Sequence, residues 1–133
     1  MKTQVQQNQN NINNILVIDD DEMLLYAIRK KLELANYKVT ISANVHDAYF
    51  KLGVTKPDLI MLDVIMPDMN GVEFMNLINF NYMASKTPVI LMSYLPKEQL
   101  MKMGYNIDCE YYLSKPFNVD ALPTIIKKSK FAA

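Results

Sequence analysis

From Ile15 onward the chain alternates between two hydrophobic rhythms. Short apolar runs fall at Ile15–Ile18, Val39–Ile41, Leu59–Leu62, Val89–Met92 and Tyr111–Leu113. The runs ILVI and VTI carry three β-branched residues each and no alternation of apolar and polar positions, which is how strands buried on both faces read. Helical spacings lie between the runs. Leu24, Ile28, Leu32 and Ala35 recur at four, four and three; Val45, Ala48, Tyr49 and Leu52 sit at i, i+3, i+4, i+7. Val72, Met75 and Ile78 are spaced by three, and Leu122, Ile125 and Ile126 sit at i, i+3, i+4. These stripes predict core-facing helices, with Asn44 and Asn118 as N-caps of two of them. Lys97–Met103 predicts a weaker, short helix. Five strands alternating with five helices make βαβ units, hence an α/β fold with a parallel sheet and helices on both faces.

Composition narrows the reading. The 133 residues suit one domain; half are apolar and 21% charged, enough for one sizeable core. Lys+Arg and Asp+Glu balance at 14 each, so no basic surplus points to nucleic acid. The lone Cys109 excludes a disulfide framework and a multi-cysteine zinc site, and the lone His46 excludes sites built from several histidines. No apolar run approaches the ~18–20 residues of a membrane span, and the N-terminus lacks the apolar core of a signal peptide. The expectation is a reduced cytoplasmic protein. Nine of the first fourteen residues are Gln or Asn, too polar to offset their ordering entropy. Residues 1–13 therefore read as a flexible tail and residues 14–131 as the domain. The ten methionines are expected largely at core positions.

In a parallel sheet the binding site lies beyond the carboxyl ends of the strands. Asp19-Asp20-Asp21-Glu22 follows the first run, Asp63 the third, Ser93 the fourth and Lys115-Pro116 the fifth. Parallel strands bring these groups together. Clustered carboxylates stay ionised only with a cation among them. Oxygen ligands select a hard one, and magnesium shares its remaining positions with phosphate oxygens. A lysine and a hydroxyl add a charge and a donor for phosphate, and a carboxylate is a competent nucleophile toward phosphorus. The set reads as phosphoryl transfer to an aspartate. Asp21 and Glu22 read as first-turn acidic residues favouring a helix dipole.

The runs ILVIDDDE, PDLIMLDVIMPDMNG, TPVILMS and YLSKPF resemble the response regulator receiver domain of two-component signalling, over about Asn14 to Lys130. The resemblance implies a flavodoxin-like, doubly wound, five-stranded sheet in the order 2-1-3-4-5. It implies Asp63 as phosphoacceptor, with Asp20 and Asp63 as direct ligands of Mg2+ and Asp19 acting mainly through water. The backbone carbonyl of Ile65 is the other expected ligand. It implies Ser93 as the hydroxyl that binds the phosphoryl group, Lys115 as charge partner, and Tyr112 as the aromatic switch. Pro116 occupies the family's Lys-Pro step, often cis. The implied phosphate source is the phosphohistidine of a sensor histidine kinase or phosphotransfer protein. An output partner or domain outside this chain, without direct nucleic acid or membrane contact, receives the signal.

Three features depart from the family pattern. Tyr94 stands where a small residue is usual, and is expected to shield the acyl phosphate from water. Gly104–Tyr111 is longer than usual, beside the face that changes on activation, so the family's rules for phosphorylation-dependent dimers do not transfer directly. Pro123 falls within the expected fifth helix, either kinking it or marking a later start. The chain stops at KKSKFAA, as a stand-alone receiver or a piece of a longer protein. Among other classes, a haloacid-type phosphatase needs a second acid where Ile65 stands, a nucleotide switch lacks its GxxxxGK[ST] loop, and an electron carrier of related topology would not carry acids after the first strand. A receiver-fold scaffold acting without phosphorylation stays open because of Tyr94.

Overall fold

The computed structural model describes residues 12–67, 73–74, 87–105, 109 and 111–128. Five parallel strands form one sheet: β1 (Asn14–Ile18), β2 (Lys38–Ser42), β3 (Leu59–Asp63), β4 (Val89–Ser93) and β5 (Tyr111–Ser114), in the order β2-β1-β3-β4-β5. The described α-helices are α1 (Glu22–Leu34), α2 (Val45–Thr55), α3 (Lys97–Lys102) and α4 (Leu122–Lys128), the last entered through a 3-10 turn at Val119–Ala121. The predicted helix through Val72, Met75 and Ile78 lies outside the described residues, except that Glu73 and Phe74 are helical. The order of the sheet agrees with the expectation.

Alternation along the strands divides the core in two. Leu16, Ile18, Ile60, Leu62 and Leu91 pack with Val45, Ala48 and Leu52 of α2 and Leu100 of α3. Ile15, Val17, Leu59, Met61, Ile90 and Met92 pack with Leu25, Ile28 and Leu32 of α1 and Leu122 and Ile126 of α4. The three central strands bury every residue of these sets, each such side chain contributing about 1.5–3 kcal/mol. That tight central packing fixes where the strand ends lie.

Several expectations are corrected. β2 is not buried on both faces: it is an edge strand, and only Ser42 is fully buried. β-branched composition reports strand propensity, whereas burial depends on the strand's place in the sheet. The α1 stripe centres on Leu25, Ile28 and Leu32; Leu24 is partly buried against the same cluster, and Leu25 joins the expected face because it lies three residues before Ile28. Of the described methionines, Met61, Met66 and Met92 are buried, but Met23, Met101 and Met103 are exposed. Pro123 lies in the first turn of α4, where its missing N–H has no intrahelical partner to lose. Asn44 caps α2 through the Asp47 N–H at 2.8 Å, and Asn118 caps the 3-10 turn through the Asp120 N–H at 3.0 Å.

Edge strand β2 is protected. Lys51 of α2 donates to the Ile41 carbonyl at 2.8 Å and pairs with Asp47 at 2.8 Å. Ser42 Oγ donates to the same Asp47 carboxylate at 2.8 Å. The hydrogen bonds and the paired charge hold the Asp47 carboxyl below its usual range.

Candidate phosphoryl-transfer site

Four strand ends build the site. Asp19 directly follows β1, and its N–H donates to the Ser42 carbonyl at 3.1 Å, extending the pairing with β2. Its Oδ1 accepts the Asp21 N–H at 2.9 Å, while Asp21 accepts the Leu24 N–H at 3.1 Å and caps α1. Asp21 is thus the N-cap, one position before the first-turn Glu22. Helix capping falls to Asp21, so neither Asp19 nor Asp20 is the cap; Asp19 spends Oδ1 on the Asp21 N–H and turns Oδ2 to the cluster. Asp63 is the last residue of β3, in register with Met92 of β4. Ser93 ends β4, and its carbonyl accepts the Lys115 N–H at 2.7 Å, anchoring the residue after β5. The Lys115-Pro116 peptide is cis, as the resemblance implied.

Carboxylate oxygens of Asp19, Asp20 and Asp63 lie within 4.8 Å of one another. Lys115 Nζ donates to Asp19 Oδ2 at 2.5 Å and lies 3.7 Å from Asp63 Oδ2. Asp19, Asp63, Ser93 and Lys115 are buried, whereas Asp20 is exposed. Among the described residues three acids therefore face one ammonium, and the balance of charge is visible in their protonation. Burial, reinforced by the charge of Asp19, pushes the Asp63 carboxyl up to about 7 against the attraction of Lys115. Burial also raises Asp19, opposed by its hydrogen bonds from Lys115 and the Asp21 N–H. Burial pulls Lys115 down, but the Asp19 hydrogen bond and the two carboxylates outweigh it, so the ammonium is held charged above its ordinary range. The cluster is short of positive charge. A hard cation held by oxygen atoms fits that deficit and this donor set.

Ile65 lies two residues beyond Asp63, and its backbone forms a hydrogen bond to the Asp63 carboxylate. Ser93 Oγ accepts the Leu95 N–H at 3.0 Å, and the Tyr112 hydroxyl donates to the Leu95 carbonyl at 2.7 Å. Burial raises the Tyr112 hydroxyl, and a hydrogen bond with Ser93 opposes the rise. Ser93 and Tyr112 are thus joined through Leu95, a link made by backbone atoms that side-chain motifs do not display. Tyr112 packs against the α2-side core with Leu95, Tyr105 and Cys109. His46 is exposed and Cys109 partly buried, as expected. Asp68 and residues 106–108 and 110 of the lengthened 104–111 segment, Asp108 among them, lie outside the described residues.

Sequence reasoning missed one arrangement at the rim. Tyr94 is exposed, and its ring centroid lies 5.3 Å from Lys115 Nζ. Its position directly after Ser93 was the only signal.

Residues 15–127 match the family model described as response regulator receiver domain. The chain is 34% identical to the transcriptional regulatory protein CrdR of Helicobacter pylori over 114 residues, 86% of this chain and 53% of that protein. It is 34% identical to the transcriptional regulatory protein KdpE of Staphylococcus aureus over 113 residues, 85% of this chain and 48% of that protein. The chain therefore spans about half the length of these curated relatives. The solved structure of chemotaxis protein CheY4 of Vibrio cholerae superposes with a TM-score of 0.79 at 24% identity, covering 89% of this chain and 98% of that one. That likeness shows the fold.

Proposed function

This chain belongs to the response regulator receiver family, and from that premise we propose that Asp63 is the phosphoacceptor of a two-component phosphorelay. A receiver is a signalling switch rather than an enzyme acting on outside substrates. The observation that carries the assignment of Asp63 is its placement: a buried carboxylate at the end of a central strand, 3.7 Å from a buried ammonium and beside two further acids. Residues 14–131 form the receiver in this reading, and residues 1–13 a tail.

Asp19, Asp20, Asp63 and the Ile65 carbonyl would hold Mg2+, which when bound supplies positive charge for the phosphoryl oxygens. Asp63 acts as nucleophile. One carboxylate oxygen forms the O–P bond in line as the P–N bond to the donor imidazole breaks; the electron pair of that bond stays on the leaving nitrogen, and the proton already on the ring's other nitrogen makes the leaving group a neutral imidazole. Lys115, held by Asp19, neutralises charge on the transferred group with no need to enter from solvent. The Ser93 hydroxyl then turns from the Leu95 N–H toward the new phosphoryl oxygens. Leu95 and Tyr112 follow, because both are tied to the same link. A local change of charge thereby biases a two-state surface.

The donor is a sensor histidine kinase or phosphotransfer protein, and the recipient is an output partner or domain outside this chain. The reading places the chain in the cytoplasm. The related CrdR and KdpE are named as transcriptional regulatory proteins, which supports an output in gene control.

Intact-mass measurement after incubation with acetyl phosphate and magnesium, beside Asp63→Asn, tests the assignment. One magnesium-dependent phosphoryl adduct is expected in the wild type and none in the variant. An adduct that persists in Asp63→Asn overturns the acceptor. No adduct from acetyl phosphate or a phosphohistidine donor favours a scaffold that acts without phosphorylation.

A further inference from the structure

We propose that Tyr94 is a positioning residue for phosphoryl transfer, acting through Lys115; the role rests on Asp63 being the acceptor. Tyr94 follows buried Ser93 at the end of β4, yet its own side chain is 68% exposed. A large ring left in water at the rim of a charged site gains little from burial. Its contact is with the lysine: the ring centroid lies 5.3 Å from Nζ. The Lys115 side chain is only 4% exposed. A lysine ammonium is strongly hydrated and sits on a flexible stem, so its seat among acids competes with escape into water. On one side Asp19 and Asp63 attract it. Tyr94 lies over it at the exposed rim, where a π face attracts a cation without offering a competing hydrogen-bond acceptor.

The consequence concerns timing. Lys115 is useful to the reaction if Nζ is already beside Asp63 when charge develops on the phosphoryl group. Asp19 alone would also hold the ammonium, but at 2.5 Å from Asp19 and 3.7 Å from Asp63 it is drawn toward the wrong carboxylate. A ring over the cation restricts its excursions without drawing it further toward Asp19. This effect differs from shielding the acyl phosphate against water: shielding depends on bulk, whereas positioning depends on the π face.

Two substitutions separate them. Tyr94→Phe keeps the π face, and Tyr94→Leu keeps much of the bulk without it. Both leave the core untouched because the side chain is exposed. With acetyl phosphate and magnesium, the initial rate of adduct formation is expected within about twofold of wild type for Tyr94→Phe. For Tyr94→Leu it falls about two- to fivefold, the range of an exposed cation–π contact. Proton NMR supplies a readout that needs no phosphorylation. The Lys115 ε-methylene protons should be ring-shifted upfield in the wild type and in Tyr94→Phe, and return downfield in Tyr94→Leu. A Leu variant as fast as wild type, a Phe variant as slow as Leu, or unshifted ε protons in the wild type each overturn the positioning role. If the wild type itself takes no phosphoryl group from either donor, the acceptor reading fails and the role falls with it. A modified wild type with an equally fast Leu variant sinks the positioning role alone.

Discussion

Replacing Asp63 with Asn is expected to stabilise the metal-free fold at alkaline pH while abolishing phosphorylation. In the unfolded chain this carboxyl ionises near its ordinary 3.8, but in the fold only near 7, chiefly because it is buried and secondly because Asp19 lies beside it. Between those values the folded protein retains a proton that the unfolded chain has released, so stability falls as pH rises through the window. Above pH 7 the whole penalty is present. About three pH units at about 1.4 kcal/mol each give roughly 4 kcal/mol. The attraction of Lys115 is already contained in the value near 7, and the exposure of Asp63 is only 7%, so solvent screens little of it. Asparagine keeps the shape without the charge, and its amide has its own burial cost, leaving an expected gain of about 2–4 kcal/mol. Urea unfolding in chelator, at about pH 8 and about pH 4.5, measures it. The variant should be more stable at the higher pH, and its advantage should shrink by about 3 kcal/mol at the lower, which lies less than one pH unit above the unfolded value of 3.8. Magnesium at saturating concentration should stabilise the wild type and narrow the gap at pH 8, by mass action on the folded state. A gap of the same size at both pH values, or no gap at pH 8, would show that Asp63 carries no such electrostatic penalty.

Two further outcomes follow from named contacts. Tyr94→Ala removes bulk as well as the π face; if the ring also shields the acyl phosphate, the phosphorylated half-life measured by intact mass shortens severalfold, and an unchanged half-life removes the shielding expectation. Lys51→Met frees the Ile41 carbonyl and removes the charge partner of Asp47, which keeps its Ser42 hydrogen bond, so urea unfolding should show a loss of about 1 kcal/mol, and sedimentation at raised concentration should show self-association through the uncovered β2 edge; a monomer of unchanged stability contradicts that role for Lys51.

The order of elements and the acidic site were legible in the sequence because both rest on local signals. Apolar runs such as ILVI and LIML locate strands wherever they end in the sheet, and i, i+3, i+4 spacing locates a buried helix face. Residues directly after parallel strands share one rim by geometry, so Asp19, Asp63, Ser93 and Lys115 were placed together without coordinates. Family resemblance then supplied the roles and the order of the sheet. The stripe through Leu24, Ile28 and Leu32 locates the buried face of α1 but passes over Leu25, which shares that face because it lies three residues before Ile28.

What tertiary structure alone decided depends on distances between segments far apart in the chain. The sequence counts three acids and a lysine, but only their packing raises Asp63 to about 7 and seats Lys115 closer to Asp19 than to Asp63. The exposure of β2 follows from its edge position, which hydrophobicity does not encode. The Ser93–Leu95–Tyr112 link uses backbone groups that every residue possesses, so no residue type announces it. The ring of Tyr94 over Lys115 joins the ends of two strands, and the sequence showed only an unusual neighbour of Ser93. Local pattern determined which elements form and which chemistry gathers at their ends; burial and through-space charge, which depend on the whole fold, decided how that chemistry is tuned.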